Sequence, residues 1–231
     1  MKIFIDRQKA NSKAALANAA SVGGLLLLLA TVLAPLFFPV LAGFTLVLLF
    51  LGGAISMVGI YLANRWVRRP RPEESLDHAL KAFDDNYRLY HYPSMPCDHV
   101  LLTPNGIVGM EVVNLASSFT YREGRWKEAM TIGRALRYLV EPRVGDPMEL
   151  AEELTDAIRS WLTDRLQAHA NVPIRVLTVF THPSVDLEID RGSVPAYKID
   201  KLRKNAVIPG ARLPGDLFEQ IAAVLERATL G

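Results

Sequence analysis

Only one of the 231 residues is a cysteine, Cys97. A single thiol excludes an intrachain disulfide framework and suits a reducing compartment for the part of the chain that carries it. Charge is missing over a long stretch as well: from residue 14 to residue 64 there is no Lys, Arg, Asp or Glu. A small soluble core cannot hide so long an uncharged run. A cleaved signal peptide has an apolar core of about 7 to 15 residues, and the second long apolar run that follows the first excludes it. Acids are scarce before residue 72 and common after it. Residues 1–71 hold eight basic residues and one acid, and residues 72–231 hold eighteen basic and twenty-three acidic. The near-neutral total thus joins a positive front to a mildly acidic body. That body lacks the broad basic field that gives non-specific affinity for phosphate backbones, which disfavours nucleic acid as a partner.

Two hydrophobic runs fill the uncharged stretch, Val22 to Val40 and Phe44 to Ala63. Each is close to the roughly 20 residues that cross a hydrocarbon core. Pro35, Pro39 and Gly43 lie between or near their ends, and a proline removes a backbone donor that lipid cannot replace, so the turn belongs near the far interface. Two spans return the chain to its starting side. Lys2, Arg7, Lys9 and Lys13 precede the first, and Arg65, Arg68, Arg69 and Arg71 follow the second. Positive-inside then places both termini in the cytoplasm, in the plasma membrane of a prokaryote. The lipid bilayer is the first partner implied. Gly52, Gly53, Ala54 and Ser56 permit close helix approach, within the hairpin or between copies of a homo-oligomer. The organisation expected is a basic segment over 1–21, a two-helix hairpin over 22–64, a basic linker over 65–72 and an α/β domain over 73–231.

In the body, Leu76, Ala79, Leu80 and Phe83 fall at i, i+3, i+4 and i+7, one face of a short amphipathic helix from Glu73 to about Asp84. His99–Thr103 and Ile107–Val113 are apolar, β-branched runs joined by Pro104, Asn105 and Gly106, a hairpin signal. Ser118 to Arg122 predicts a third strand, with Glu123 and Gly124 turning the chain toward Arg125 and Trp126, which would complete a three-stranded meander. Thr131 to Asp146 reads as irregular. From Pro147 to His169 the helical period holds, and Pro147 suits a first helical turn. Ile174 to Phe180 reads as a strand buried on both faces. A loop with Pro183 and Gly192, a short strand near Ala196 to Ile199 and a last helix from about Gly215 to Ala228 complete the chain. That order implies a mixed α/β sheet flanked by helices.

Asp98 opens one strand and Glu111 lies on the next. Two carboxylates on adjacent strands can share a divalent cation, which prefers oxygen ligands; the alternative is a strand-capping Asp98 and a solvent-facing Glu111. His91 and His99 flank Cys97 at a spacing that matches no common zinc pattern, and Cys97 itself reads as a small buried residue.

The run from Asp98 through Pro104-Asn105-Gly106 and Glu111 to Asn114, followed by Gly124-Arg125-Trp126, resembles the NERD (nuclease-related) domain, which is similar in layout to the PD-(D/E)XK nucleases with their restriction-endonuclease-like core. The strongest likeness covers Glu73 to Trp126. It implies that Glu73 corresponds to a glutamate on the family's first helix, Asp98 to its metal-binding aspartate and Glu111 to its metal-binding glutamate, with Mg²⁺ or Mn²⁺ as the cofactor of an active member. The family's lysine two residues beyond the glutamate is absent here: the position is Val113. That lysine would share a strand face with Glu111 and stabilise the charge developing on phosphorus. Lys127 or Arg125 is the nearest replacement cation. Trp126 reads as a packing residue rather than a platform for a base. Without the lysine, the expected role is a binding or assembly module with a protein partner, and no cofactor is required; a metal-dependent DNA or RNA nuclease with a relocated cation is the alternative.

Overall fold

A computed structural model of the protein describes residues 1–130, 144–166, 171–189 and 194–231. Most of Thr131 to Asp146, the end of the helix read to His169, and Gly192 lie outside the described residues. The chain divides into two compact units. One contains Met1–Asp6, Pro72–Met130 and Val144–Gly231, and the other contains residues 7–71.

The second unit is an antiparallel pair of long helices, α1 (Arg7–Phe37) and α2 (Thr45–Trp66), joined by a 3₁₀ turn over Pro39–Phe44. Both are long and apolar enough to cross a membrane, and only 11% of the most apolar window of each is buried. A helix in a soluble core would be mostly buried. Here Leu25, Leu29, Val32, Val47, Phe50 and Val58 are all exposed, an apolar surface of the kind that a hydrocarbon environment accommodates at low cost. Glycine sets how closely the helices meet. A Cβ on Gly59 would run into the backbone of Ser21, one on Gly24 would lie 2.5 Å from Ser56 Oγ, and one on Gly52 3.0 Å from the Leu28 side chain.

The first unit is built on a six-stranded sheet. Its strands in chain order are β1 (Lys2–Ile5), β2 (Arg88–His91), β3 (His99–Thr103), β4 (Gly106–Val113), β7 (Ile174–Phe180) and β9 (Ala196–Lys198), and they neighbour one another in that order. β2, β3 and β4 form an antiparallel meander, while β1 pairs parallel with β2, and β7 parallel with both β4 and β9. β5 (Ser118–Arg122) and β6 (Arg125–Glu128) join β8 (Asp186–Ile189) in a separate three-stranded sheet. The expectation that Ser118–Arg122 completes the meander is therefore corrected: the chain leaves the main sheet after Val113, and β2 takes the third place. The mixed α/β sheet flanked by helices is as expected.

Alternation along the strands divides the core. Tyr90, Val100, Leu102, Ile107 and Val176 pack under α4 (Pro147–Thr163) through Ile158, Trp161 and Leu162, and under α6 (Gly215–Leu230) through Ile221 and Leu225. Leu89, Leu101, Val108, Met110 and Leu177 face the other way, toward Leu76 and Leu80 of α3 (Pro72–Leu80) and Leu202 at the start of the short α5 (Leu202–Asn205). Asp146 caps α4 by accepting from the Met148 amide at 2.8 Å. Arg88 ties α6 to β2 through Glu219 at 2.7 Å and Glu226 at 3.2 Å.

Candidate functional site

Asp98 and Glu111 lie next to the end of the β3–β4 hairpin. Its last paired residues are His99 and Met110, and the same antiparallel register, continued one step past the end of β3, would set Asp98 opposite Glu111. Residues opposed in that way would hold their Cβ atoms about 4.5 to 5.5 Å apart on one face. That face is the one covered by α4, since Gly109, two residues before Glu111, would place a Cβ 3.1 Å from Ile158 and 3.3 Å from Cys97 Sγ. Both carboxylates are half-buried. Burial pushes the Cys97 thiol up to about 12, and the negative charges of Glu111 and Asp98 push in the same direction. Cys97 thus lies within the field of both carboxylates as a neutral, unreactive thiol.

Two residues further along β4 on this face is Val113, opposite Phe180 of β7. Its side chain joins a cluster made by Phe119 of the small sheet, Phe180 and Ala196 of the main sheet, and Val185. The position a lysine would need is part of an apolar contact. Trp126 belongs to the same cluster, with its ring stacked on Phe119 at 5.3 Å and tilted against Phe180 at 6.2 Å, so it packs as expected. Strand alternation then turns Lys127 and Arg125 to the opposite side of β6, and both are exposed. The structure does not bring Lys127 onto the face of β6 that meets the Val113 cluster.

Glu73 occupies a different face. It lies on α3, is 5% exposed, and accepts a hydrogen bond of 2.5 Å from the Tyr92 hydroxyl. Tyr92 has φ +61°, a left-handed conformation that side-chain-bearing residues adopt rarely and that marks a locally constrained backbone. Its amide donates to the Asp98 carbonyl at 2.6 Å. Glu73 and Asp98 are thus linked through Tyr92, the former by side chain and the latter by backbone.

Sequence reasoning missed the polar layer beneath α3. His91 is fully buried; its Nε2 lies 3.0 Å from Asp77 Oδ1 and its Nδ1 2.9 Å from His99 Nδ1. Two ring nitrogens at that distance need one proton between them, so one ring donates and the other accepts. The signal was the i, i+4 pair Glu73 and Asp77 on α3, a polar row beside the apolar one. These histidines tie the sheet to α3.

Two carboxylates opposed in that way would suit Mg²⁺, which keeps most of its water and binds through one or two protein carboxylates. Asp98 and Glu111 are the residues that would hold it, and it would supply Lewis-acid polarisation of a phosphoryl oxygen. Among the described residues no group of three or more His, Cys, Asp or Glu side chains is arranged for a metal. Residues 70–181 match the family model of the nuclease-related domain, NERD. No curated protein and no solved structure matches the chain.

Proposed function

We propose, from the premise that the chain carries a NERD domain over residues 70–181 together with two helices fit to span a membrane, that it is a membrane-anchored module impaired in catalysis. It acts at the cytoplasmic face of a prokaryotic plasma membrane by binding or assembly. The observation that carries this reading is Val113. It holds the strand position from which a cation would reach the space beside Glu111, and it is engaged with Phe180 and Phe119 instead. Removing a group aimed at transition-state charge costs about 10²- to 10³-fold in rate where a single donor has been deleted.

The strand pairing supports the two-span topology. β1 precedes α1 and β2 follows α2, yet the two are hydrogen-bonded neighbours in one sheet. A chain that crossed once between them could not form that pair. The orientation rests on the cations flanking the spans.

A metal-dependent nuclease is the second reading, favoured by Asp98 and Glu111 next to the end of the β3–β4 hairpin. Cleavage of labelled single- and double-stranded DNA and RNA by the full chain in detergent, with Mg²⁺ or Mn²⁺, separates the two. The wild type and Asp98→Ala are expected to be equally silent, and Val113→Lys to raise cleavage at least about a hundredfold. Wild-type cleavage that Asp98→Ala abolishes would replace the first reading by the second.

A further inference from the structure

We propose that the charged end of the helical hairpin is a binding surface for anionic phospholipids; this rests on the membrane-anchored reading above. The three close approaches of Gly24 to Ser56, Gly59 to Ser21 and Gly52 to Leu28 share one antiparallel register. Continued toward the open end, that register brings Lys13 level with Val67 and Arg65 level with Ala15. Arg7, Lys9, Lys13 and Arg65 therefore fall within about 12 Å along the helix axis, at 1.5 Å per residue. Arg68, Arg69 and Arg71 follow directly on the end of α2 at Trp66. A headgroup layer is roughly 5 to 8 Å deep on each side of the hydrocarbon, and long cationic side chains span the difference by reaching along the helix surface.

Charge is of one sign throughout this band. From Arg7 to Pro72 there is no acid, and the far end of the hairpin, from Ala34 to Thr45, carries no charge at all. Arg7, Lys13, Arg68 and Arg69 are exposed. Directly below them the helices turn exposed apolar side chains outward, beginning with Leu16 and Ile60 and continuing with Val22, Met57 and Val58. A ligand that meets both surfaces carries a phosphate at one end and acyl chains at the other. Free phosphate offers only the first half of that chemistry.

The anionic-lipid contribution of a Lys or Arg near a membrane surface corresponds to about a fivefold preference per cation. The test uses the full chain in detergent with equimolar phosphatidylglycerol and phosphatidylcholine, the lipids retained being counted by native mass spectrometry. Phosphatidylglycerol is expected to dominate, and the preference to fall about fivefold for each cation removed in Lys13→Gln, Arg68→Gln and Arg69→Gln, alone and combined. Millimolar inorganic phosphate should displace none of it. Equal retention of the two lipids, a preference unchanged in the triple variant, or displacement by inorganic phosphate would each overturn the proposal. Flotation of wild type and triple variant with pure phosphatidylcholine vesicles reports on anchoring alone. Flotation without lipid preference leaves the anchor standing and removes only this inference, whereas failure to float removes the anchor.

Discussion

Gly106→Val is expected to destabilise the α/β domain by about 3 to 5 kcal/mol and to lower its melting temperature by roughly 10 °C or more. Two effects add at this position. Its φ of +154° is open to glycine and strained for a β-branched residue. A Cβ there would also run into the carbonyl oxygen of Pro173 and come within 3.0 Å of the Ile208 side chain. The same Pro173 carbonyl accepts the Ile107 amide at 2.9 Å, so it cannot retreat without breaking the start of the β4–β7 pairing. Because β4 carries Glu111 and the hairpin carries Asp98, the fault passes directly to the carboxylate pair. Thermal unfolding of the full chain in detergent, followed by circular dichroism, measures it; a shift under 3 °C would mean that the turn is not held as described.

Phe4→Ala is the second large effect, expected at about 2 to 3 kcal/mol. Phe4 stacks on Tyr90 with ring centroids 5.0 Å apart and packs against the core cluster that includes Val100 and Leu102. The residue lies on the far side of α1 and α2 in sequence, so a loss of stability in the α/β domain itself reports that β1 belongs to its sheet. The same melting measurement decides it, and a variant that melts with the wild type would detach β1 from the domain. One consequence is practical. A fragment starting at residue 72 lacks the strand that pairs with β2.

The contrast between β1 and the hairpin of β3 and β4 explains what the sequence could reveal. Pro104-Asn105-Gly106 between two β-branched runs admits few structures, and both strands form at the expected places. Ile174 to Phe180 is equally legible, because a strand buried by neighbours on both sides has to be apolar throughout. Lys2–Ile5 is a four-residue strand whose partner lies more than eighty positions away, and its own residues carry no sign of that pairing. β2 was hidden for the opposite reason. Its buried positions include Tyr90 and His91, so it does not show the apolar alternation of a half-buried strand. Ser118–Arg122 was read correctly as a strand and wrongly as to its sheet, since alternation reports which side chains share a face and not which strand stands alongside.

The candidate site divides in the same way. The hairpin places Asp98 and Glu111 next to its last pair, His99 and Met110, and strand alternation puts Val113 on the face of Glu111. The partnership of Glu73 with Tyr92 depends on how α3 packs and on the left-handed turn at Tyr92, neither of which has a local pattern. The contacts of His91 with Asp77 and His99 depend on the packing of α3 over the sheet.

The proposed two-span topology is tested most directly by labelling introduced thiols from outside intact spheroplasts with a membrane-impermeant maleimide. Cys97 adds little background, being buried with its thiol pushed up to about 12. Val40, 84% exposed in the turn between α1 and α2, is replaced in one variant, and the exposed Arg212 of the α/β domain in the other. Val40→Cys should label in intact spheroplasts and Arg212→Cys only after lysis. Labelling of Arg212→Cys before lysis, or protection of Val40→Cys until lysis, would contradict the topology.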